Sequence, residues 1–431
     1  MHSDRPLSHD AGTRSRNGPH GVDPARPKRP RGKRAEGDAT ATPLARGLAI
    51  LCAFGPDKGW LGNREIALET DIPAPTVSRL LQSLVALGYL HHDDSSRKYA
   101  LAPAVLSLGY AAVADPGIPK DAADTGVLPG TRGDLDVLAP DSAGAARATR
   151  DQRVSARSPA SASASPRKTG ITMSPSSPVT LTLDRGLQVL RAFHADRAPL
   201  TNGELASRTG LPRSAVSALT SALIDLGFIR RVAGDARFEL GSNVFGIGQA
   251  YLAANPVTPL AQPFMQKLAD RLDASVALAV PDHLDMLYVA HRSGARIATP
   301  RMGIGSLVPM GTTAIGRAWL CGLPDPLRRR QIAQLTEAAG PQANAIAAGI
   351  EAAFADLRAT GVCLSLGENQ RDAWSMALPV RVGVSKTLMA LSCGAVEPQP
   401  DVDAIRRRIA PALKQAAIEL ATLLRDVRPG P

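Results

Sequence analysis

Between Pro73 and Gly88 the chain reads PAPTVSRLLQSLVALG, with Val77, Leu80, Leu81 and Leu84 at i, i+3, i+4 and i+7. That spacing lays one apolar stripe along a helix. Thr76, Ser78, Arg79 and Gln82 fall on the opposite face. Pro73 stands where a helix can start and Gly88 where one stops. The pattern returns at Pro212–Gly227, PRSAVSALTSALIDLG, at a constant offset of 139 positions. Its surroundings return with it, so Leu183–Leu252 repeats Leu44–Val113 without a gap. Arg46-Gly47-Leu48 becomes Arg185-Gly186-Leu187, Phe54 becomes Phe193, and Tyr89 and Tyr99 become Phe228 and Phe238. In each copy a first helix (Leu44, Leu48, Leu51 and Phe54 on one face) precedes a short second helix, Asn63–Thr70 in the first copy. The periodic helix follows. Tyr89-Leu90 and Tyr99–Leu101 read as strands around a polar wing, His91–Lys98, and Pro103–Val113 reads as a helix leading away. The second copy adds Thr201-x-x-Glu204, a capping box for its short helix. A repeat of this length predicts two copies of one domain.

From Pro256 to Arg425 the pattern changes. Thr258–Leu272, Thr312–Leu320, Ala343–Thr360 and Asp401–Leu424 have helical character. Ser275–Val280, Met286–Ala290, Cys363–Leu366, Ser375–Val380 and Thr387–Ser392 have strand character. Strands and helices in this order predict an α+β domain on one mostly antiparallel sheet. The chain thus divides into a basic tail without periodicity (1–40), a winged helix-turn-helix (41–113) and a linker rich in Ala, Ser, Pro, Gly and Asp (114–178). A second winged helix-turn-helix with a linker helix (179–254) and the α+β domain (255–431) complete it.

Composition changes the picture in three ways. The formal net charge of +11 favours a polyanionic partner, although ARPKRPRGKR in the tail supplies much of it. Pro30–Arg34 is similar to an AT-hook core, and also reads simply as a solvated basic tail attracted to phosphates. Four scattered cysteines (Cys52, Cys321, Cys363, Cys393) form no CxxC pair, which argues against structural zinc or a disulfide framework and suits a reducing cytoplasm. No apolar run approaches the ~20 residues needed to span a membrane. No HExxH, P-loop, GxSxG or Cys/His pair marks a catalytic centre, and His283 and His291 have no evident partners. No metal and no cofactor is expected.

The exposed faces of the two periodic helices carry the chemistry that reads DNA. In the first copy these are Thr76, Ser78 and Arg79, with Arg79 able to make a bidentate guanine contact or to clamp a phosphate. In the second, Ala218 replaces Arg79, leaving Arg213, Ser214 and Ser217, with Arg230 and Arg231 on the wing. Arg213, at the helix start, suits a phosphate better than a base.

The chain resembles the IclR family of bacterial transcriptional regulators. The resemblance rests on ARGLAILCAFG (Ala45–Gly55), Glu65–Leu90, YALAPAVLSLGYAAV (Tyr99–Val113), LVPMGTTAIGRAWL (Leu307–Leu320), GVCLSLGENQRDAWSMALPV (Gly361–Val380) and MALSCG (Met389–Gly394). It implies winged helix-turn-helix domains that bind double-stranded operator DNA in a homodimer or homotetramer. It also implies a GAF-like C-terminal domain that binds a small organic acid and controls the DNA-binding arrangement, as repressor or activator. By this resemblance the effector site takes backbone N–H groups of Thr313 and Ala314 and the side chains of Ser365, Ser375 and Ser392. The GVCLSLGE-like strand points towards aromatic acids, while Ser365 stands where the family often has an acidic residue. Two other readings stay open. The first winged helix is either a working tethered reader or a fusion relic, and the whole is either ligand-controlled or a constitutive DNA-organising protein.

Overall fold

The structure is a computed structural model that describes residues 36–110, 178–193, 198–295, 297 and 302–427. The basic tail as far as residue 35, the last residues of the first winged unit (111–113) and nearly all of the linker lie outside the described residues. Helix α1 (Glu36–Cys52) begins inside the stretch expected to be tail and carries Pro43 within it. Leu44, Leu48 and Leu51 on α1 are fully buried. They pack on α3 (Ala74–Ala86), whose stripe of Val77, Leu80, Leu81 and Leu84 is at most 1% exposed. Between them α2 (Asn63–Thr70) ends at Asp71 in left-handed conformation, which makes the tight turn into α3. Strands β2 (Leu90–Asp93) and β3 (Lys98–Leu101) form the hairpin, and β1 (Leu61–Gly62) adds a third strand in the order β1-β3-β2. Pro103–Leu108 is a 3-10 helix rather than the expected α-helix, and it stops at Gly109, whose φ is 123°.

The second unit follows the same order: α4 (Pro178–Arg191), α5 (Asn202–Thr209), α6 (Arg213–Asp225), β4 (Ile229–Arg231), β5 (Phe238–Leu240) and α7 (Ser242–Ala254). The expected capping box forms at α5, where Thr201 accepts from the Glu204 N–H at 3.2 Å and Glu204 accepts from the Thr201 N–H at 2.8 Å.

Beyond α8 (Val257–Leu272) comes a six-stranded, fully antiparallel sheet in the order β8-β7-β6-β11-β10-β9. Its strands are β6 (Ser275–Asp282), β7 (Asp285–Ser293), β8 (Leu307–Pro309), β9 (Cys363–Leu366), β10 (Ala373–Val382) and β11 (Thr387–Val396). Alternation sorts its side chains into two layers. Val276, Leu278 and Val280 join a core with α8 and α12 (Val402–Leu423) that runs on without interruption into both N-terminal units. Ala277 and Ala279 face a second core under α9 (Ala314–Gly322), α10 (Asp325–Ala339) and α11 (Ala343–Thr360). β8 and α10 had no counterpart in the sequence reading. No described helix is long and apolar enough to cross a membrane.

Candidate DNA-reading helices and effector cavity

Burying the apolar stripe of α3 forces its polar face outward. Arg79 is exposed, and Thr76 and Ser78 are half-buried. Ser78 Oγ accepts from the amide of Asn63 on α2, so part of its hydrogen-bonding capacity is spent inside the unit. On α6, Arg213, Ser214 and Ser217 are all exposed. Here the matching asparagine, Asn202, accepts instead from Thr220 Oγ1 at 3.1 Å.

The hairpins differ as the sequence suggested. In the first, the Asp93 carboxylate accepts from Ser95 and Ser96 and closes the turn, bonds that hold its pKa well below the usual carboxylate range. In the second, Arg230 pairs across the strands with Glu239 at 2.9 Å, and Arg231 lies over the Phe238 ring at 5.2 Å. Both arginines remain exposed, although Arg230 already has a carboxylate partner.

Four of the five expected effector residues, all but Ala314, lie on one cavity of about 120 Å³. Ser365 and Ser375 are directly paired across β9 and β10. Ser375 lies opposite Gly394 on β11, and Ser392 opposite Ala277 on β6, so the three serines share one sheet surface. All three line the cavity together with Thr313. Thr313 caps α9, accepting from the Gly316 N–H at 3.3 Å and donating to the Pro309 carbonyl at 2.7 Å. Apart from the Gly316 N–H that Thr313 caps, the first-turn N–H groups of α9 have no intrahelical acceptor, and such an end attracts negative charge. Ala314 is fully buried and does not line the cavity, so of the expected pair only Thr313 reaches it.

Sequence reasoning missed several wall residues. Tyr288 and His291 stack nearly parallel, with ring centroids 5.9 Å apart, and Met302, Val308 and Ile315 add to the apolar lining. Burial pushes the His291 imidazole down to about 4, so it is neutral near pH 7. Glu368 also lines the cavity and accepts two hydrogen bonds from Arg317, at 2.7 and 2.5 Å. Ser365 Oγ lies 3.3 Å from the same carboxylate and donates to the Thr312 carbonyl. Three residues after Ser365, Glu368 thus places a carboxylate on the cavity wall, paired with a buried arginine. Trp374 and Trp319 both hydrogen-bond within the protein, to Glu397 and to the Leu388 carbonyl, in keeping with packing roles.

One polar junction ties the sheet to the N-terminal units. Asp282, at the β6–β7 turn, is 2% exposed and accepts from Arg191 of α4 at 2.8 Å. The same Arg191 nitrogen reaches Ser107 Oγ of the first unit at 2.9 Å. On the other side of the turn the Leu284 carbonyl accepts from the Met310 N–H, within the loop that leads to Thr313.

The model of the IclR helix-turn-helix domain matches residues 43–94 and again 182–233, and that of the bacterial transcriptional regulator IclR C-terminal domain matches 249–422. The chain is 27% identical over 241 residues to the Pca regulon regulatory protein of Pseudomonas putida, covering 55% of this chain and 82% of that one. It is 26% identical over 255 residues to the p-hydroxybenzoate hydroxylase transcriptional activator of Acinetobacter baylyi, covering 56% and 91%. The crystal structure of an IclR family transcriptional regulator from Brucella abortus superposes with a TM-score of 0.52 at 32% identity, covering 60% of this chain and 97% of that one. These relatives are regulators of transcription, not enzymes. With both family models matching in the expected order, the chain belongs to the IclR family of bacterial transcriptional regulators.

Proposed function

We propose that this regulator carries two winged helix-turn-helix readers, residues 41–113 and 179–254, and that a small aromatic acid in the GAF-like domain, 255–431, sets its affinity for operator DNA. The observation that carries the reading is the cavity itself, where three serines from adjacent strands and the start of α9 share one space with Tyr288, His291 and Met302. Hydroxyls and a helix N-terminus suit a carboxylate, and flat apolar walls suit a ring. A volume of about 120 Å³ is of the order that a single ring fills. The name of one relative, the p-hydroxybenzoate hydroxylase transcriptional activator, agrees with an aromatic acid.

The mechanism is a population shift. Acid bound at Thr313 favours one position of the loop running back through Pro309 and Met310 to the β6–β7 turn. That turn is held by Arg191, so the two N-terminal units follow it. A coupling of about 1–3 kcal/mol gives roughly 5- to 150-fold control of operator affinity. The test uses p-hydroxybenzoate, with acetate as an aliphatic contrast, and reads both acid binding by calorimetry and operator binding by anisotropy. Ser392→Leu, which fills the cavity, abolishes the acid response and leaves operator affinity intact. Equal loss of both activities, or an unchanged acid response, would count against this division of labour.

A further inference from the structure

The two helix-turn-helix units touch through a reciprocal contact. Leu44 of α1 lies against Gly186 of α4, and Leu183 of α4 lies against Gly47 of α1. Leu44 and Leu183 are counterparts in the repeat, as are Gly47 and Gly186. When i meets j and the counterpart of i meets the counterpart of j, the two units are related by a two-fold axis. A Cβ at either glycine would collide with the facing leucine, and both leucines are fully buried, so this is a close helix–helix approach. Further contacts surround it. Ser83 Oγ of α3 and Thr180 Oγ1 of α4 are 2.8 Å apart. The Tyr110 ring stacks on Phe245 of α7, with centroids 5.5 Å apart and planes within 4°, and its hydroxyl accepts from Gln249 at 2.9 Å. All of these contacts lie within one chain.

We infer that the two units form a two-fold DNA reader inside a single polypeptide, and that it takes a bipartite site whose halves differ in sequence. The inference rests on the DNA-reading assignment above and goes beyond it. Identical readers about a two-fold axis select a palindrome. These readers are not identical. Arg79 has Ala218 as its counterpart, and Ala74 at the start of α3 has Arg213. Ser78 is tied to Asn63, whereas Ser217 is exposed because Asn202 turns to Thr220. His91-His92 on one wing are Arg230-Arg231 on the other. The α3 half therefore reads a guanine through Arg79, and the α6 half is held more by phosphate contacts from Arg213 and its wing. The first unit has no effector domain of its own, yet its core is continuous with the rest and its Ser107 shares Arg191 with Asp282. Those contacts make it a working part of the regulator rather than a relic.

Two experiments on the full chain test this. The first is Ser83→Cys with Thr180→Cys under mild oxidation, with each single variant as control. Burial pushes the thiols of Cys52, Cys363 and Cys393 up to about 11, 12 and 12, so they compete poorly. The expected product is a cross-link within one chain, seen as a faster band of unchanged mass on a non-reducing gel. A cross-linked dimer, or no cross-link, overturns single-chain pairing. The second is selection of bound duplexes from a random pool. The expected site has two unequal halves, and Arg79→Ala relaxes base preference in one half only, by roughly 5- to 150-fold at the contacted pair. A palindromic site, or equal relaxation of both halves, overturns the inference and leaves the DNA-reading assignment standing. Binding without any sequence preference overturns that assignment itself.

Discussion

Arg317 and Glu368 show how a single pair can both hold the fold and shape the site. The guanidinium side is 3% exposed and the carboxylate side 38%. Glu368→Gln removes the charge facing a buried guanidinium that otherwise keeps only the Gly311 carbonyl, and should lower stability by about 1–2 kcal/mol, read as a shift in the urea midpoint. His291 gives a second expectation. Its folded pKa of about 4 lies below the ordinary value of 6.5, chiefly because burial disfavours the charged form. Between those values the unfolded chain binds a proton that the folded protein refuses. Stability is therefore full above about pH 6.5 and falls as pH drops towards 4, by on the order of 2–3 kcal/mol. His291→Phe should flatten that part of a stability-versus-pH curve. Neither role stood out in the sequence. Glu368 sits in a polar loop with no spacing that links it to Arg317 51 positions earlier, and a lone histidine on a strand carries no signal of its burial.

Among the elements, those with a strong local pattern were legible. The short helix Asn63–Thr70, the strand Cys363–Leu366 and the helix Ala343–Thr360 lie where periodicity put them. β8 was not legible because three residues make no alternation, and α10 because DPLRRRQIAQLTEAA buries only Leu335 and so shows no apolar stripe. The serines of the cavity came from resemblance, not pattern, and only strand register brings them onto one surface. The β6–β7 turn is the clearest case of a role that lies in tertiary contacts. Asp282→Asn keeps the turn but removes the charge facing Arg191, so operator binding should persist while the p-hydroxybenzoate response shrinks towards onefold in the same anisotropy assay.

At the scale of the whole molecule the repeat was plain in the sequence, but the contact between its copies was not. Nothing in local pattern says that Leu44 will find Gly186, since both are ordinary members of their own helices. The basic balance, by contrast, was legible from the start, although the tail carries much of it. If phosphate contacts hold the second half of the site, Arg213→Ala should weaken binding to all sequences alike and lower the slope of log affinity against log salt by about 1. A titration at several salt concentrations checks it.

The reciprocal leucine–glycine contact has a consequence for scarcity. Two readers made on one ribosome need no encounter to find each other. A reader assembled from separate chains falls apart when the protein is dilute, because its assembly depends on concentration. Here the pairing survives dilution to a few copies per cell, and occupancy of a bipartite site rises with the first power of protein number rather than the second. Doubling the gene dose then doubles the response at low occupancy.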